Sequence, residues 1–264
     1  MCGIVGYLGE RDSLPIILNG LKRLEYRGYD SAGIAIYNGS TIASCKSKGK
    51  ISKLEKLLDK RKNMSGGIGI GHTRWATHGE PNDINAHPQF SNSKKLCLVH
   101  NGIIENYSTI KLKLIKEGFS FSSETDTEVL VNLIEFVKNK NDVKLGEAVQ
   151  IALNQVIGAY AIAVIDDNKP DEIVVAKLGS PLCIGIGEDE HFIGSDVTPF
   201  IEYTKDVVYL EDGELAIIRN HKETFFRKID DDSSISPIVS KLELSLDKIE
   251  KQGYDHYMLK EIYE

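Results

Sequence analysis

The apolar run Cys2-Gly3-Ile4-Val5-Gly6-Tyr7 reads as a buried strand that starts one residue from the N-terminus. That start constrains the fold more than any other segment, because it ties residue 2 to a packed sheet. A small side chain at position 2 is one the methionine-removing peptidase accepts, so Cys2 is expected to become the first residue. It would then carry a thiol of pKa about 8.5 together with an α-amino group near about 7.7–8.0. An amine largely deprotonated at neutral pH can take the thiol's proton, and the thiolate is the nucleophile. Taken alone, Cys2 also fits the commoner role of a free cysteine, a small buried hydrophobe.

The chain has 264 residues, enough for one large domain or two small ones, and a net charge of −7. With that charge and no basic run, nucleic acid is excluded as the main partner. The 4 cysteines, at positions 2, 45, 97 and 183, form no CxxC pair, and so neither a disulfide framework nor a thiolate metal site. No stretch has the apolar length of a membrane span and the first residues form no signal peptide, so a cytoplasmic protein with no membrane partner is expected.

Helical and extended segments alternate without a repeating βαβ pattern. Leu14, Ile17, Leu18, Leu21 and Leu24 recur at helical spacing after the capping pair Asp12-Ser13. Asn38-Gly39, between Ala32–Tyr37 and Thr41–Lys46, signals a hairpin, and a second is expected over Val207–Arg219 around Asp212-Gly213. Ile68–Gly71, Leu96–Val99, Tyr160–Ile165, Glu172–Ala176 and Leu182–Ile186 are short strand-like runs. Helices are expected near Ile51–Lys62, Tyr107–Lys116, Thr127–Asn139 and Leu145–Val156. Hairpins with helices imply antiparallel sheets covered by helices. After the polar stretch Asp230–Pro237, Leu242–Glu264 reads as a charged, partly helical tail.

Four segments carry unusual chemistry. Arg27-Gly28-Tyr29-Asp30-Ser31-Ala32-Gly33 frames an arginine and an aspartate with glycines, which could equally be turn residues. In His72-Thr73-Arg74-Trp75-Ala76-Thr77-His78-Gly79, Arg74 offers a rigid donor fork suited to a carboxylate, or a surface ion pair. Trp75 could close over a small ligand. His100-Asn101-Gly102, at the end of the strand Leu96–Val99, has the composition of an oxyanion hole and also of a common turn. In Ser123-Glu124-Thr125-Asp126-Thr127-Glu128 a carboxylate could bind an ammonium group or simply cap a helix. His72, His78 and His87 lack an HExxH pattern or nearby thiolates, and read as hydrogen-bonded structural histidines rather than metal ligands. The glycines at 66, 67, 69 and 71 fit neither GxGxxG nor a P-loop.

Together the opening cysteine and the four segments, in this order, resemble the class II glutamine amidotransferases. The resemblance implies an α+β fold, the N-terminal-nucleophile hydrolase αββα sandwich with two antiparallel sheets between helical layers. Within that family Leu24–Gly33, His72–Gly79, His100–Asn106 and the tail His256–Glu264 are similar to the glutaminase domains of glutamine–fructose-6-phosphate aminotransferases. The related amidophosphoribosyltransferases and asparagine synthetases share the opening cysteine and the asparagine–glycine pair, but usually differ around Tyr26–Asp30 and Trp75. By resemblance, Cys2 is the nucleophile, and Asn101 and Gly102 form the oxyanion hole. Arg74 anchors the α-carboxylate of L-glutamine and Asp126 its α-ammonium, with Thr77, His78 and Gly102 also lining the pocket. Arg27 orders the site and Trp75 gates ammonia over a closing loop, Arg74–Asn82. No cofactor and no metal are implied.

The resemblance further implies a glutaminase domain over residues 1–240 and a connector tail over 241–264. The connector leads to a C-terminal sugar-phosphate isomerase half that binds fructose 6-phosphate and receives the ammonia. The full-length enzyme is expected to be a homo-oligomer. Three other readings stand beside this one, and the nearest is the glutaminase domain of another class II amidotransferase, of the amidophosphoribosyltransferase type. A non-catalytic glutamine-binding module would need no nucleophile. A papain-like pair Cys97/His100 would stand at i, i+3 on a strand, where side chains point to opposite faces.

Overall fold

The structure is a computed structural model and describes residues 2–76 and 79–243. Met1, Thr77, His78 and nearly all of the expected tail lie outside the described residues. In chain order the first half runs β1 (Gly3–Leu8), α1 (Ser13–Leu24), β2 (Ser31–Tyr37), β3 (Ile42–Lys48), α2 (Ile51–Leu58), β4 (Ile68–Arg74), β5 (Gln89–Phe90) and β6 (Leu96–Ile104). Three helices follow, α3 (Tyr107–Lys116), α4 (Asp126–Asn141) and α5 (Leu145–Leu153). The rest is extended: β7 (Gly158–Asp166), β8 (Lys169–Leu178), β9 (Cys183–Ile186), β10 (His191–Gly194), β11 (Asp206–Tyr209), β12 (Glu214–Arg219), β13 (Phe225–Lys228), β14 (Ser234–Ile235) and β15 (Val239–Lys241).

These strands form an 8-stranded sheet in the order β15-β11-β9-β10-β1-β4-β2-β3 and a 7-stranded sheet in the order β14-β13-β12-β8-β7-β6-β5. The pairs that build both sheets are antiparallel. The sheets face each other, with α1 and α2 over the first and α3, α4 and α5 over the second, the expected αββα sandwich. Period-2 alternation divides each strand between two cores. On β1, Ile4 and Leu8 join the layer between the sheets, while Val5 and Tyr7 pack under α1. On β6, Cys97 and Val99 face between the sheets, while Leu96 and Leu98 face the helices. No helix among the described residues is long and apolar enough to cross a membrane.

α1 begins where Asp12 accepts the Leu14 N–H at 3.3 Å. It lies close on β4 because that strand presents glycines to it. A Cβ at Gly71 would fall 2.5 Å from Ile17 Cγ2 and 3.0 Å from Leu21 Cδ1. Gly69 and Gly71, in the glycine-rich stretch that matched no nucleotide fingerprint, thus serve a helix–sheet contact.

Two expectations need correction. The turn at Asp212-Gly213 forms, with Gly213 at φ 77°, but the Val207–Arg219 hairpin does not. β11 lies in the first sheet and β12 in the second, so the turn carries the chain from one to the other. It is anchored on the end of β8, where Asp212 Oδ1 accepts from Gly179 N at 2.7 Å and Gly213 N donates to Lys177 O at 2.9 Å. A turn dipeptide encodes local backbone, not the sheet that each flank joins. Likewise the strand expected over Leu96–Val99 continues to Ile104, because β7 pairs with it as far as Ile104↔Gly158. His100-Asn101-Gly102 therefore lies within a strand, not beyond its end.

Gly71→Ala is expected to overpack the α1 interface and lower stability by about 1–3 kcal/mol. Urea unfolding checks this; an unchanged midpoint would mean that α1 can move away from β4 without loss.

Candidate active site

At one end of the sandwich the stripes that face between the sheets turn polar. Counting by twos along β1, Leu8 and Ile4 lead to Cys2 just before the strand; on β4, Ile68 and Ile70 lead to His72 and Arg74; on β6, Cys97 and Val99 lead to Asn101. Gly3 stands opposite Thr73, so the start of β1 meets the end of β4. The cavity there has a volume of about 340 Å³ and is lined by Cys2, Arg27, Arg74, Asn101, Gly102 and Asp126, among others. That is the size of a small-ligand site.

The Cys2 side chain is held by the loop after β4. Trp75 N–H donates to Cys2 Sγ at 3.1 Å, and the thiol points to Trp75 O at 3.4 Å. Burial pushes the thiol pKa up, while the contact with the Trp75 backbone pulls it the other way. The resting side chain is therefore a thiol, and its conversion to a nucleophile requires a base beside it. Asp30 fixes the loop: its carboxylate accepts from Ala76 N and, at 2.8 Å, from the Ser31 hydroxyl. Its own N–H donates to Arg74 O at 3.2 Å. Sequence reasoning noticed Asp30 between glycines but gave it no part in holding this loop.

Arg27 ends a 3₁₀ turn (Glu25–Arg27), and its Nη1 donates to Ser195 O at 3.2 Å and to Asp196 Oδ2 at 3.3 Å. Ser195 Oγ in turn accepts from Ile4 N at 3.0 Å, which ties the start of β1 to the same group. Ser195 and Asp196 were not anticipated; the signal available was a polar pair directly after Phe192-Ile193-Gly194. Arg74 is buried, with Nη2 donating to Gly79 O at 3.1 Å. The Trp75 ring is half exposed and meets Tyr29 edge-on at 5.6 Å.

Across the cavity, Asn101 Nδ2 donates to Cys2 O at 3.1 Å, so an amide from the second sheet touches the cysteine of the first. Gly102 follows at φ 132°, where a Cβ would collide with Ala159 O at 2.0 Å. Asp126, the first residue of α4, accepts the Ile104 N–H at 2.8 Å. The two acids of this segment differ in what they hold. Glu128 accepts from Ser122 N and Ser123 N and closes the helix start, whereas Asp126 lines the cavity.

His72, His87 and His100 are hydrogen-bonded inside the protein, while His78 lies outside the described residues. His72 Nε2 lies 2.9 Å from Asn101 Oδ1 and 3.1 Å from His100 O, while His87 Nε2 and His100 Nδ1 both reach Thr127 Oγ1. No group of metal-binding side chains occurs among the described residues. Cys97 and His100 face opposite sides of β6, and burial pushes the Cys97 thiol far up, so they form no catalytic pair.

The chain matches the family model described as a glutamine amidotransferase domain over residues 59–236. It is 58% identical to glutamine–fructose-6-phosphate aminotransferase (isomerizing) of Bacteroides thetaiotaomicron, covering 100% of this chain and 43% of that protein. It is 49% identical to the enzyme of the same name from Thermococcus kodakarensis, again over 100% and 43%. The chain thus spans less than half the length of these relatives. Among solved structures it is similar to glutamine phosphoribosylpyrophosphate amidotransferase from B. subtilis, with 29% identity and a TM-score of 0.74 over 87% of this chain and 50% of that one.

The buried histidines set an acid limit on stability. Burial lowers the pKa of His72 to about 3 and that of His87 well below its usual value. Between about pH 6.5 and 3 the unfolded chain takes up protons that the folded chain refuses, so stability falls as pH falls through that window. Urea unfolding is expected to lose up to about 1.4 kcal/mol per pH unit for each such ring below pH 6.5. A flat profile from pH 7 to 5 would contradict this.

Proposed function

This chain belongs to the glutamine amidotransferase family, and on that premise we propose that residues 1–240 form a glutaminase acting through Cys2. The observation that carries the proposal is a single cavity holding a cysteine at position 2, a buried arginine, an amide next to a positive-φ glycine, and a buried carboxylate. L-Glutamine presents a carboxylate, an ammonium and an amide, and these groups match that set.

With Met1 removed, the α-amine of Cys2 takes the proton from its own thiol, and Sγ attacks the side-chain amide carbon. The C=O electron pair moves onto oxygen, where Asn101 Nδ2 and Gly102 N–H receive it. An amide nitrogen has two donors, so contact with Cys2 O leaves one for this role. Each such donor contributes about 2.7–4 kcal/mol to the transition state. Collapse of the intermediate breaks the C–N bond as the ammonium form of Cys2 protonates the departing nitrogen, which leaves as ammonia. Water then hydrolyses the γ-glutamyl thioester to glutamate and frees the thiol. Arg74 holds the α-carboxylate and Asp126 the α-ammonium, while Arg27 steadies the start of β1. Thr77 and His78 belong to the loop that closes over glutamine, with Trp75 as its gate, and closure excludes bulk water.

The names of the full-length relatives extend the proposal. In the whole protein residues 241–264 connect this domain to an isomerase half, which receives the ammonia and aminates fructose 6-phosphate. The step assigned to residues 1–240 is the release of glutamate and ammonia from glutamine.

Intact mass after exposure to an electrophilic glutamine analogue is expected to show one adduct on protein that lacks Met1, and none in Cys2→Ala. A processed wild-type chain that takes up no adduct would sink the catalytic assignment in favour of a binding module. Arg74→Lys, which replaces a fork by a point charge, should raise the glutamine KM by about 10- to 100-fold, in keeping with about 1.5–3 kcal/mol for a charge-assisted hydrogen bond. Steady-state glutamate release measures it; an unchanged KM would remove Arg74 from the binding role.

A further inference from the structure

We propose that His72 is the positioning residue of the oxyanion hole: its Nε2–H holds Asn101 Oδ1, and thereby turns Asn101 Nδ2 toward the reacting carbonyl. The inference rests on the glutaminase reading above and adds a residue that the reading does not assign.

The donor atoms fix the orientation of the Asn101 amide. His72 Nε2 has two neighbours, Asn101 Oδ1 at 2.9 Å and His100 O at 3.1 Å. A backbone carbonyl only accepts, so Nε2 must carry the proton. The opposite ring nitrogen, Nδ1, is buried without a hydrogen-bond partner among the described residues, as suits the bare nitrogen of a neutral ring. With a donor fixed at Nε2, only the carbonyl end of Asn101 can face it. The amide end is then left for Cys2 O, 3.1 Å away. Rotating the amide by half a turn would set Nδ2–H against Nε2–H and Oδ1 against the Cys2 carbonyl, replacing two attractive contacts by two repulsive ones. An asparagine side chain otherwise chooses freely between these states, and only one of them offers a donor to an oxyanion.

The His72 ring is itself fixed. It stacks on His87 with ring centres 4.4 Å apart and planes at 30°, and His87 Nε2 lies 2.7 Å from Thr127 Oγ1. Both rings are buried, so water does not compete for Nε2. Parity along β4 places His72 on the face that meets Asn101, and Arg74 continues the same stripe into the cavity. His72 acts on the substrate only through Asn101, so its removal should affect the chemical step rather than binding.

The test is glutamate release by the chain lacking Met1 in five forms: wild type, His72→Leu, His72→Gln, Asn101→Ala and the Leu/Ala double variant. His72→Leu is expected to lower kcat by about 10- to 100-fold with KM changed less than about threefold, short of the roughly 10²–10³ that follows removal of a donor itself. His72→Gln, whose amide N–H reaches the place of Nε2–H, should recover kcat to within about fivefold of wild type. The double variant should be no slower than Asn101→Ala alone, because the two residues act as one unit. An unchanged kcat in His72→Leu, a loss carried by KM, or a loss that multiplies with that of Asn101→Ala would each overturn the proposal.

Nitrogen NMR of the wild-type histidine rings decides the matter even where a variant fails to fold. A bare Nδ1 and a protonated Nε2 at His72 are expected, and the reverse tautomer overturns the assignment. Failure of the glutaminase reading would look different, with wild type and Cys2→Ala releasing glutamate at the same background rate.

Discussion

β1 is hydrogen-bonded to β10 on one edge and to β4 on the other, and it is buried on both faces. A strand in that position has almost no freedom, and Cys2 is the residue directly before it. Its side chain is thereby delivered to one point at the end of the sandwich with little conformational entropy left to lose. The tie from Ile4 N to Ser195 Oγ, and from Ser195 O to Arg27, extends this restraint to the residues just after the cysteine. Chain termini are usually the least ordered part of a domain. Here β1 lies in the middle of the larger sheet, which fits the proposal that Cys2 acts as nucleophile with its own backbone amine as base.

The remaining site groups are brought up to that fixed point from different layers. Arg74 and the Trp75 amide come from β4 in the same sheet, Asn101 and Gly102 from β6 in the opposing sheet, and Asp126 from the start of α4 behind it. Arg74 and Asp126 each have a backbone partner of their own, Gly79 O and Ile104 N. Opposite charges anchored separately, on elements that belong to different layers, can bind the two charged ends of an amino acid rather than simply neutralise each other. The burial that raises the thiol pKa of Cys2 also strengthens these interactions, since low dielectric acts on all charges in the cavity.

Much of this was legible in the sequence because it is local. The hairpin around Asn38-Gly39 pairs as expected, from Ser31↔Lys48 to Tyr37↔Ile42. α3 spans Tyr107–Lys116, the range its periodicity indicates, and the other expected helices shift at their ends by a few residues. What was not legible depends on contacts across the fold. The Asp212-Gly213 turn looks like a hairpin because its dipeptide specifies φ at Gly213, but β8 decides which sheet follows. β10, the partner of β1, is only His191–Gly194 and lies directly after the polar run Glu188-Asp189-Glu190, so no periodicity marks it. Ser195, Asp30 and His72 hold other residues in place. Such roles are invisible until the partner is known, whereas Cys2 and Arg74 stand out in the sequence by residue type and by the segments around them.

One pattern lies between these extremes and was present in the sequence without being read. Cys2-x-Ile4, Ile70-x-His72-x-Arg74 and Val99-x-Asn101 are the same stripe three times, apolar where it faces the core between the sheets and polar at its end. Burying polar groups in a core position is costly unless each is hydrogen-bonded, and the penalty grows when the site is dry. Continuing a core-facing stripe with a cysteine, a histidine and an asparagine therefore makes sense only where the three strands come together around a cavity and their polar groups satisfy one another, as His72 and Asn101 do at 2.9 Å. A stripe that keeps its parity but changes its chemistry is thus a physical marker of where a sandwich of this kind opens to a ligand.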